Sequence, residues 1–104
     1  MTITREEFVK QFEGTLTEMY NIMKAKNADY ASEWDPFANF RLVEQLWITS
    51  AEKAILVRMS DKMSRISNLL EREAKVKDES IADTLSDLAN YSVILKILLA
   101  NKSK

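Results

Sequence analysis

Apolar side chains recur every three or four residues in the first part of the chain, which is the spacing of one face of an amphipathic helix. Thr4 and Glu7 stand just before this pattern with the Ser/Thr-x-x-Glu spacing of a capping box, a common helix start. The pattern therefore predicts a first helix from Thr4 to about Asn27. Its apolar stripe consists of Phe8, Phe12, Leu16, Met19 and Met23.

Two further helices are predicted in the second half of the chain. Thr49 and Glu52 form another capping-box pair, and the pattern after them predicts a helix over about 50–75. Its stripe consists of Ile55, Met59, Met63, Ile66 and Leu70. Asp78 can cap a last helix. The inner face expected for that helix carries Ile81, Leu85, Leu88 and Ser92. A short helix is also predicted over about 39–47, so the predicted number of helices is four.

Residues 28–40 lose the helical period, and Pro36 disfavours helical geometry at the residue before it. This predicted loop holds four of the nine aromatic residues of the chain, namely Tyr30, Trp34, Phe37 and Phe40. Two interpretations stay open. The rings close one end of the helical core, with Phe37 and Phe40 its members. Alternatively, Tyr30 or Trp34 stacks on a nucleobase whose edge is read by Asn27, Asp29 or Asn39.

Composition supports helices and excludes several kinds of chemistry. The chain has 104 residues, 46% of them hydrophobic, with one glycine and one proline, so we expect one all-α domain over residues 1–104. Histidine and cysteine are both missing from it, which excludes zinc fingers, thiol nucleophiles and His-based acid–base pairs. A single glycine excludes glycine-rich phosphate loops. A net charge of −1 argues against general nucleic-acid binding.

The C-terminal part of the chain is apolar around most of its helical circumference. Residues 91–100 are interrupted by Lys96 and are too short to cross a bilayer, so we expect no membrane partner. A helix of this kind must be enclosed by other protein. We therefore expect a homo-oligomer, a dimer or higher, with the last helix in its interface. The lack of cysteine and of a signal-peptide pattern predicts a cytoplasmic location.

Four oxygen-bearing side chains share one stripe of the last predicted helix, because they are spaced by three and four residues. They are Glu79, Asp83, Asp87 and Asn90. Carboxylates placed this way repel one another, and a hard divalent cation such as Mg²⁺ would relieve the repulsion. The alternative is an acidic, solvated face that pairs with Lys or Arg of another helix.

The preceding helix carries a cationic patch, Arg58, Lys62 and Arg65, with Asp61 inside it. Arginine binds phosphate in a bidentate fork, so this patch could hold a di- or triphosphate while Asp61 joins a metal. The alternative is an ordinary ion pair between Asp61 and Arg65 one helical turn apart.

Four runs of the sequence, residues 26–30, 35–41, 58–65 and 78–91, together resemble the small helical nucleotide modification associated domain proteins of phages and bacteria. The resemblance implies a role in nucleotide metabolism or modification, within the cytoplasm of a bacterial host if the chain is phage-encoded. A more distant similarity is to the all-α nucleotide pyrophosphatases of the MazG and dimeric dUTPase type, which use Mg²⁺.

Carried over by position, that second similarity makes Glu79 and Asp83 catalytic residues and metal ligands, with Asp87 one turn later as a further ligand. Asp61, from the cationic patch of the preceding helix, is a further metal ligand in the expected site. The first acidic pair of those enzymes is missing here. The expected function is nucleotide binding, with Mg-dependent release of pyrophosphate if the protein is an enzyme. Two alternatives are a non-catalytic sponge for nucleotides or nucleotide-derived defence signals, and a protein-binding inhibitor of a host factor.

Overall fold

The computed structural model describes residues 2–30, 35–72 and 78–102, leaving out the side chains of residues 29–30 and 78–80. Within these ranges the chain forms three long helices, one short helix and no strand, which confirms the all-α, bundle-like fold. The helices are α1 (Arg5–Tyr30), α2 (Ala38–Gln45), α3 (Ala51–Glu71) and α4 (Asp78–Ala100). α3 and α4 pack against each other most extensively, while α2 packs on α3 and α1 on α4.

The start of α1 is the one that the sequence predicts. The Thr4 hydroxyl accepts a hydrogen bond of 3.1 Å from the Glu7 amide, which satisfies one of the free donors of the first turn. α1 continues to Tyr30 rather than ending near Asn27. Residues 28–30, which were predicted to be loop, are therefore helical.

Asp35 organises the turn that leads into α2. Its carboxylate accepts a hydrogen bond of 2.9 Å from the Phe37 amide, and its carbonyl accepts one of 3.1 Å from Ala38. The same carboxylate forms an ion pair of 2.6 Å with Arg41. This Asx-type turn carries the chain through Pro36 and begins α2 at Ala38.

α2 ends in a Schellman motif with an unusual residue at its turning point. Trp47 has a φ of 60°, in the left-handed region that favours glycine, and its side chain is 94% exposed. The Trp47 amide donates to the Glu44 carbonyl, and the Ile48 amide donates to the Val43 carbonyl at 2.9 Å. These two bonds close the helix end without a glycine.

α3 begins one residue later than its predicted capping box implies. The hydroxyl that accepts from the first turn is that of Ser50, at 3.2 Å from the Lys53 amide. The prediction that Thr49 caps this helix is wrong. Glu44 of α2 accepts a further hydrogen bond of 2.8 Å from the Ala51 amide, which ties the two helices together at this corner.

The core lies where α2 meets the α3–α4 pair. Its buried members are Phe40, Ala51, Ile55 and Leu98. The Phe40 ring meets the edge of Tyr91 at 6.2 Å between centroids and 78° between planes, a favourable aromatic geometry. Phe37 packs against the same cluster. The prediction that these two phenylalanines belong to the core is confirmed.

The inner face of α4 differs in part from the predicted one, because Ile81 and Leu88 are half-buried as expected but the other two residues are not. The buried residues of the described part of α4 are Thr84 and Leu98, whereas Leu85 is 48% exposed and Ser92 is exposed. The helix is rotated so that its line of contact runs through Tyr91 and Leu95. Because α4 is apolar on several sides, its sequence period does not single out one of them.

Within the described residues, α1 packs against the rest of the protein through its C-terminal half, and its N-terminal half is exposed. Met19 is buried where α1 crosses α4. Its backbone carbonyl accepts a hydrogen bond of 3.4 Å from the side-chain amide of Asn90. Phe8, Phe12 and Leu16 continue the same stripe but are each more than half exposed.

Candidate functional site

All four helices contribute to an open cleft with a volume of about 580 Å³. Its charged lining residues are Lys26 of α1, Arg58 and Lys62 of α3, and Asp87 of α4. The remaining lining residues are Met23, Asn27, Asn39, Phe40, Val43, Ala54, Asn90, Tyr91 and Ile94. A volume of this size is typical of small-molecule sites.

Asp87 lies between two lysines from different helices. One carboxylate oxygen is 2.9 Å from Lys26 Nζ, and the other is 3.3 Å from Lys62 Nζ. Partial burial raises the pKa of Asp87, but the hydrogen bonds and charges of the two lysines lower that pKa below its usual value. Asp87 is therefore ionised at neutral pH and joins α1, α3 and α4 at the cleft.

Arg58 is the third cation of the cleft. It lies one turn before Lys62 on α3, and its side chain is exposed. It takes part in none of the ion pairs among the described residues. The described lining of the cleft thus combines three cations with one carboxylate, an excess of positive charge that suits an anion.

The amide side chains lie beside the charged groups. Asn27 donates a hydrogen bond of 2.8 Å to the Pro36 carbonyl, which ties the end of α1 to the turn before α2. The side chain of Asn90 likewise donates a hydrogen bond to the Met19 carbonyl. Each bond uses one N–H of the amide, and the side-chain carbonyl oxygen is a further acceptor. Asn39, at the start of α2, lies exposed at the cleft.

Most of the uncharged lining of the cleft is apolar. Phe40 and the half-buried Tyr91 supply aromatic rings, and Val43, Ala54 and Ile94 supply aliphatic surface. The described lining therefore combines an excess of positive charge, apolar surface and the side-chain amides of three asparagines.

A family model described as Nucleotide modification associated domain 1 matches residues 26–99, which is more than half of the chain. The chain belongs to this family. No curated protein and no solved structure gives a significant match. The similarity to MazG-like pyrophosphatases therefore stays a hypothesis. The matched region of this nucleotide modification associated domain begins at Lys26, and it contains all the cleft residues named here except Met23.

The structure brings together six of the candidate residues that were predicted from the sequence of this domain. The cleft is lined by Asn27, Asn39, Arg58, Lys62, Asp87 and Asn90. Three others, Asp61, Arg65 and Asp83, are exposed and are not among its lining residues. Trp34 and the side chains of Asp29, Tyr30 and Glu79 lie outside the described residues.

Among the described residues, the acidic side chains form no group of three or more that could hold a metal ion, and the Glu79 side chain lies outside those residues. Asp87 is engaged by two ammonium groups, and Asp61 and Asp83 are not among the lining residues of the cleft. None of the described helices combines the length and hydrophobicity that a membrane span requires.

Lys26 and Tyr91 line the cleft but were not among the predicted site residues. Lys26 and Tyr91 mark the first and last positions of the four family-like runs, so those runs held the signal. Lys26 contacts Asp87, and Tyr91 contacts Phe40. Each partner is distant in the sequence, so these contacts become visible only in the folded protein.

Proposed function

We propose that the protein binds a phosphorylated nucleotide in this cleft. The observation that carries the proposal is that Lys26 and Lys62 meet at Asp87 in a cleft that Arg58 also lines and whose uncharged lining is mostly apolar. The family description is compatible with a nucleotide-related role.

The phosphates would lie against the cations of the cleft. Arg58 can offer a bidentate fork, and the two lysines add point charges. Lys26 and Lys62 already share one carboxylate, Asp87, at 2.9 and 3.3 Å. A di- or triphosphate carries more negative charge than a single carboxylate, so it can compete with Asp87 for the two lysines.

The base would lie against Tyr91 and the aliphatic lining. Asn27 and Asn39 stand at the cleft with amide groups that can read a base edge. Stacking of Tyr30 or Trp34 on the base is part of the same proposal, because Asn27 lies on the last turn of α1 and both aromatic residues follow it closely in the sequence.

Capture of the nucleotide without hydrolysis is the form of this function that the contacts favour. Hydrolysis to release pyrophosphate would need Mg²⁺ held by Glu79 and Asp83 together with Asp61 or Asp87. Asp87 is occupied by two lysines, and Asp61 and Asp83 are exposed away from the cleft. A phosphate-binding site that needs no metal agrees with these positions.

The test is a thermal-shift screen of ribo- and deoxyribonucleoside mono-, di- and triphosphates, in EDTA and in Mg²⁺, with the matching nucleosides as controls. We expect a rise in Tm for at least one phosphorylated nucleotide in EDTA, because a ligand that binds the native state stabilises it. The parent nucleoside should give no rise.

Chromatography of the bound ligand separates the alternatives. Intact ligand after long incubation supports capture, whereas pyrophosphate formed only in Mg²⁺, and lost in Asp83→Asn or Glu79→Gln, supports hydrolysis. A flat response to the whole panel would contradict nucleotide binding and would leave the protein-binding alternative.

A further inference from the structure

A row of exposed apolar residues runs along α3. Leu56, Met63 and Leu70 are spaced by seven residues and are 51%, 61% and 58% exposed. Met59 and Ile66 lie between them and are half-buried. The five positions alternate in steps of three and four, which is the heptad pattern of a helix that packs against another helix along its length.

This row faces away from the nucleotide-binding cleft. At 100° per residue, Met63 lies about 140° around α3 from Arg58 and about 100° from Lys62. On α4, Leu85 and Leu99 are 48% and 52% exposed. They lie within about 40° of each other on that helix. The α3–α4 pair therefore has apolar surface that neither its own helices nor the cleft uses.

The accessible surface is too large for a compact monomer. It measures 8524 Å², whereas a compact monomer of 12.0 kDa exposes about 6,000 Å². The radius of gyration is 16.1 Å, against about 13 Å for a compact chain of this length. The difference in area, about 2,500 Å², includes the exposed N-terminal half of α1 as well as the α3 row, and it exceeds the roughly 800 Å² that each partner buries in a standard interface.

We propose that a second copy of the chain covers the α3 row through an antiparallel α3–α3 contact about a two-fold axis at Met63. Leu56 and Leu70 are equally distant from Met63 in sequence, so the two-fold axis sets Leu56 of each copy against Leu70 of the other. A row that is symmetric about its centre is what an isologous interface requires.

The charges beside the row agree with this pairing. Lys53 and Glu71 lie at opposite ends of α3, on the same side of the helix and both exposed. Neither forms an ion pair among the described residues. An antiparallel contact brings Lys53 of each copy near Glu71 of the other, so one helix supplies both halves of the charge pair. This self-complementarity favours a second copy over an unrelated partner.

Crosslinking tests the position of the two-fold axis. The chain has no cysteine, so Met63→Cys introduces the only thiol. A short bismaleimide should join two such chains into a species of twice 12.0 kDa. Val57→Cys is the matched control, because Val57 is 57% exposed and lies about 120° around the helix from Met63. Equal crosslinking of both variants would overturn the proposal.

Light scattering of the wild-type chain and of charge variants tests the pairing itself. We expect a mass of twice 12.0 kDa for the wild type, with Lys53→Glu or Glu71→Lys each weakening the dimer about fivefold or more. The double variant should restore wild-type dimerisation. Met63→Asp should give a monomer with unchanged helical circular dichroism, since Met63 is 61% exposed. A monomeric wild type, or no restoration in the double variant, would overturn the proposal.

Discussion

Lys62 of α3 and Asp87 of α4 form an ion pair of 3.3 Å at the edge of the cleft, and Lys26 of α1 holds the other oxygen of the same carboxylate at 2.9 Å. The sequence predicted a phosphate contact for Lys62 and a metal ligand in Asp87. The structure places the two against each other, so in the proposed site Asp87 competes with phosphate for Lys62 and Lys26. Removal of Asp87 therefore has opposite expected effects. Ligand binding strengthens if Asp87 competes with phosphate for the lysines, and it weakens if Asp87 holds a metal ion that binds the phosphate.

We predict that Asp87→Asn strengthens metal-free nucleotide binding by about threefold or more, because it removes the one described negative charge of the cleft and releases two lysines for phosphate. Titration calorimetry in EDTA measures the change. Asp83→Asn, which removes an exposed carboxylate of the same helix outside the cleft lining, should leave the affinity unchanged. Loss of binding in Asp87→Asn would instead indicate that the carboxylate contacts the ligand.

The same carboxylate predicts a pH dependence of stability. The two lysines lower the pKa of Asp87 in the folded protein despite partial burial, so its ionised form favours folding. This contribution is fully present above the pKa of an unfolded aspartate, about 3.9, and is lost as the pH falls through that value and the lower folded pKa. Urea unfolding at pH 6 and pH 3 should therefore show that the difference between wild type and Asp87→Asn shrinks in acid. A difference that stays constant would contradict the assignment.

Capping at the start of α3 gives a test with a neighbouring control. Ser50→Ala should lower the free energy of unfolding by about 1 kcal/mol, because the Lys53 amide loses its acceptor. Thr49→Ala should change it by less than about 0.5 kcal/mol. Chemical denaturation of the two variants measures both. A larger loss in Thr49→Ala would show that the predicted capping box is the one formed in solution.

The helices were predictable because their signals are local. Apolar period and candidate capping residues placed the three long helices, although the Thr49 cap was wrong, and the cluster of aromatic residues before α2 pointed to Phe40 as a core residue. The buried side of α4 was not predictable, because the sequence of a helix that is apolar on several sides does not show which side packs against the core. The cleft was predicted in part: Arg58 and Lys62 stood out as one patch, but their proximity to Lys26 depends on how α1 crosses α4.

The backbone of Trp47 predicts a stabilising substitution. An L-residue pays about 1–2 kcal/mol for the left-handed conformation, and Trp47 adopts it with a φ of 60°. Trp47→Gly should raise the free energy of unfolding relative to Trp47→Ala, because alanine keeps the Cβ atom that causes the strain. Both variants remove a ring that is 94% exposed, so its loss cancels in the comparison. Urea unfolding of the pair measures the effect, and a less stable glycine variant would contradict it.

Nucleotide binding at the cleft is tested most directly by titration calorimetry of Arg58→Gln against Arg65→Gln, in EDTA, with the four ribonucleoside triphosphates and the four deoxyribonucleoside triphosphates. Both arginines are exposed on α3, but only Arg58 lines the cleft. We predict that the wild type binds at least one triphosphate, that Arg58→Gln weakens this binding about tenfold or more, and that Arg65→Gln leaves it within about twofold. Equal losses in the two variants, or a wild type that binds none of the eight triphosphates, would contradict the account.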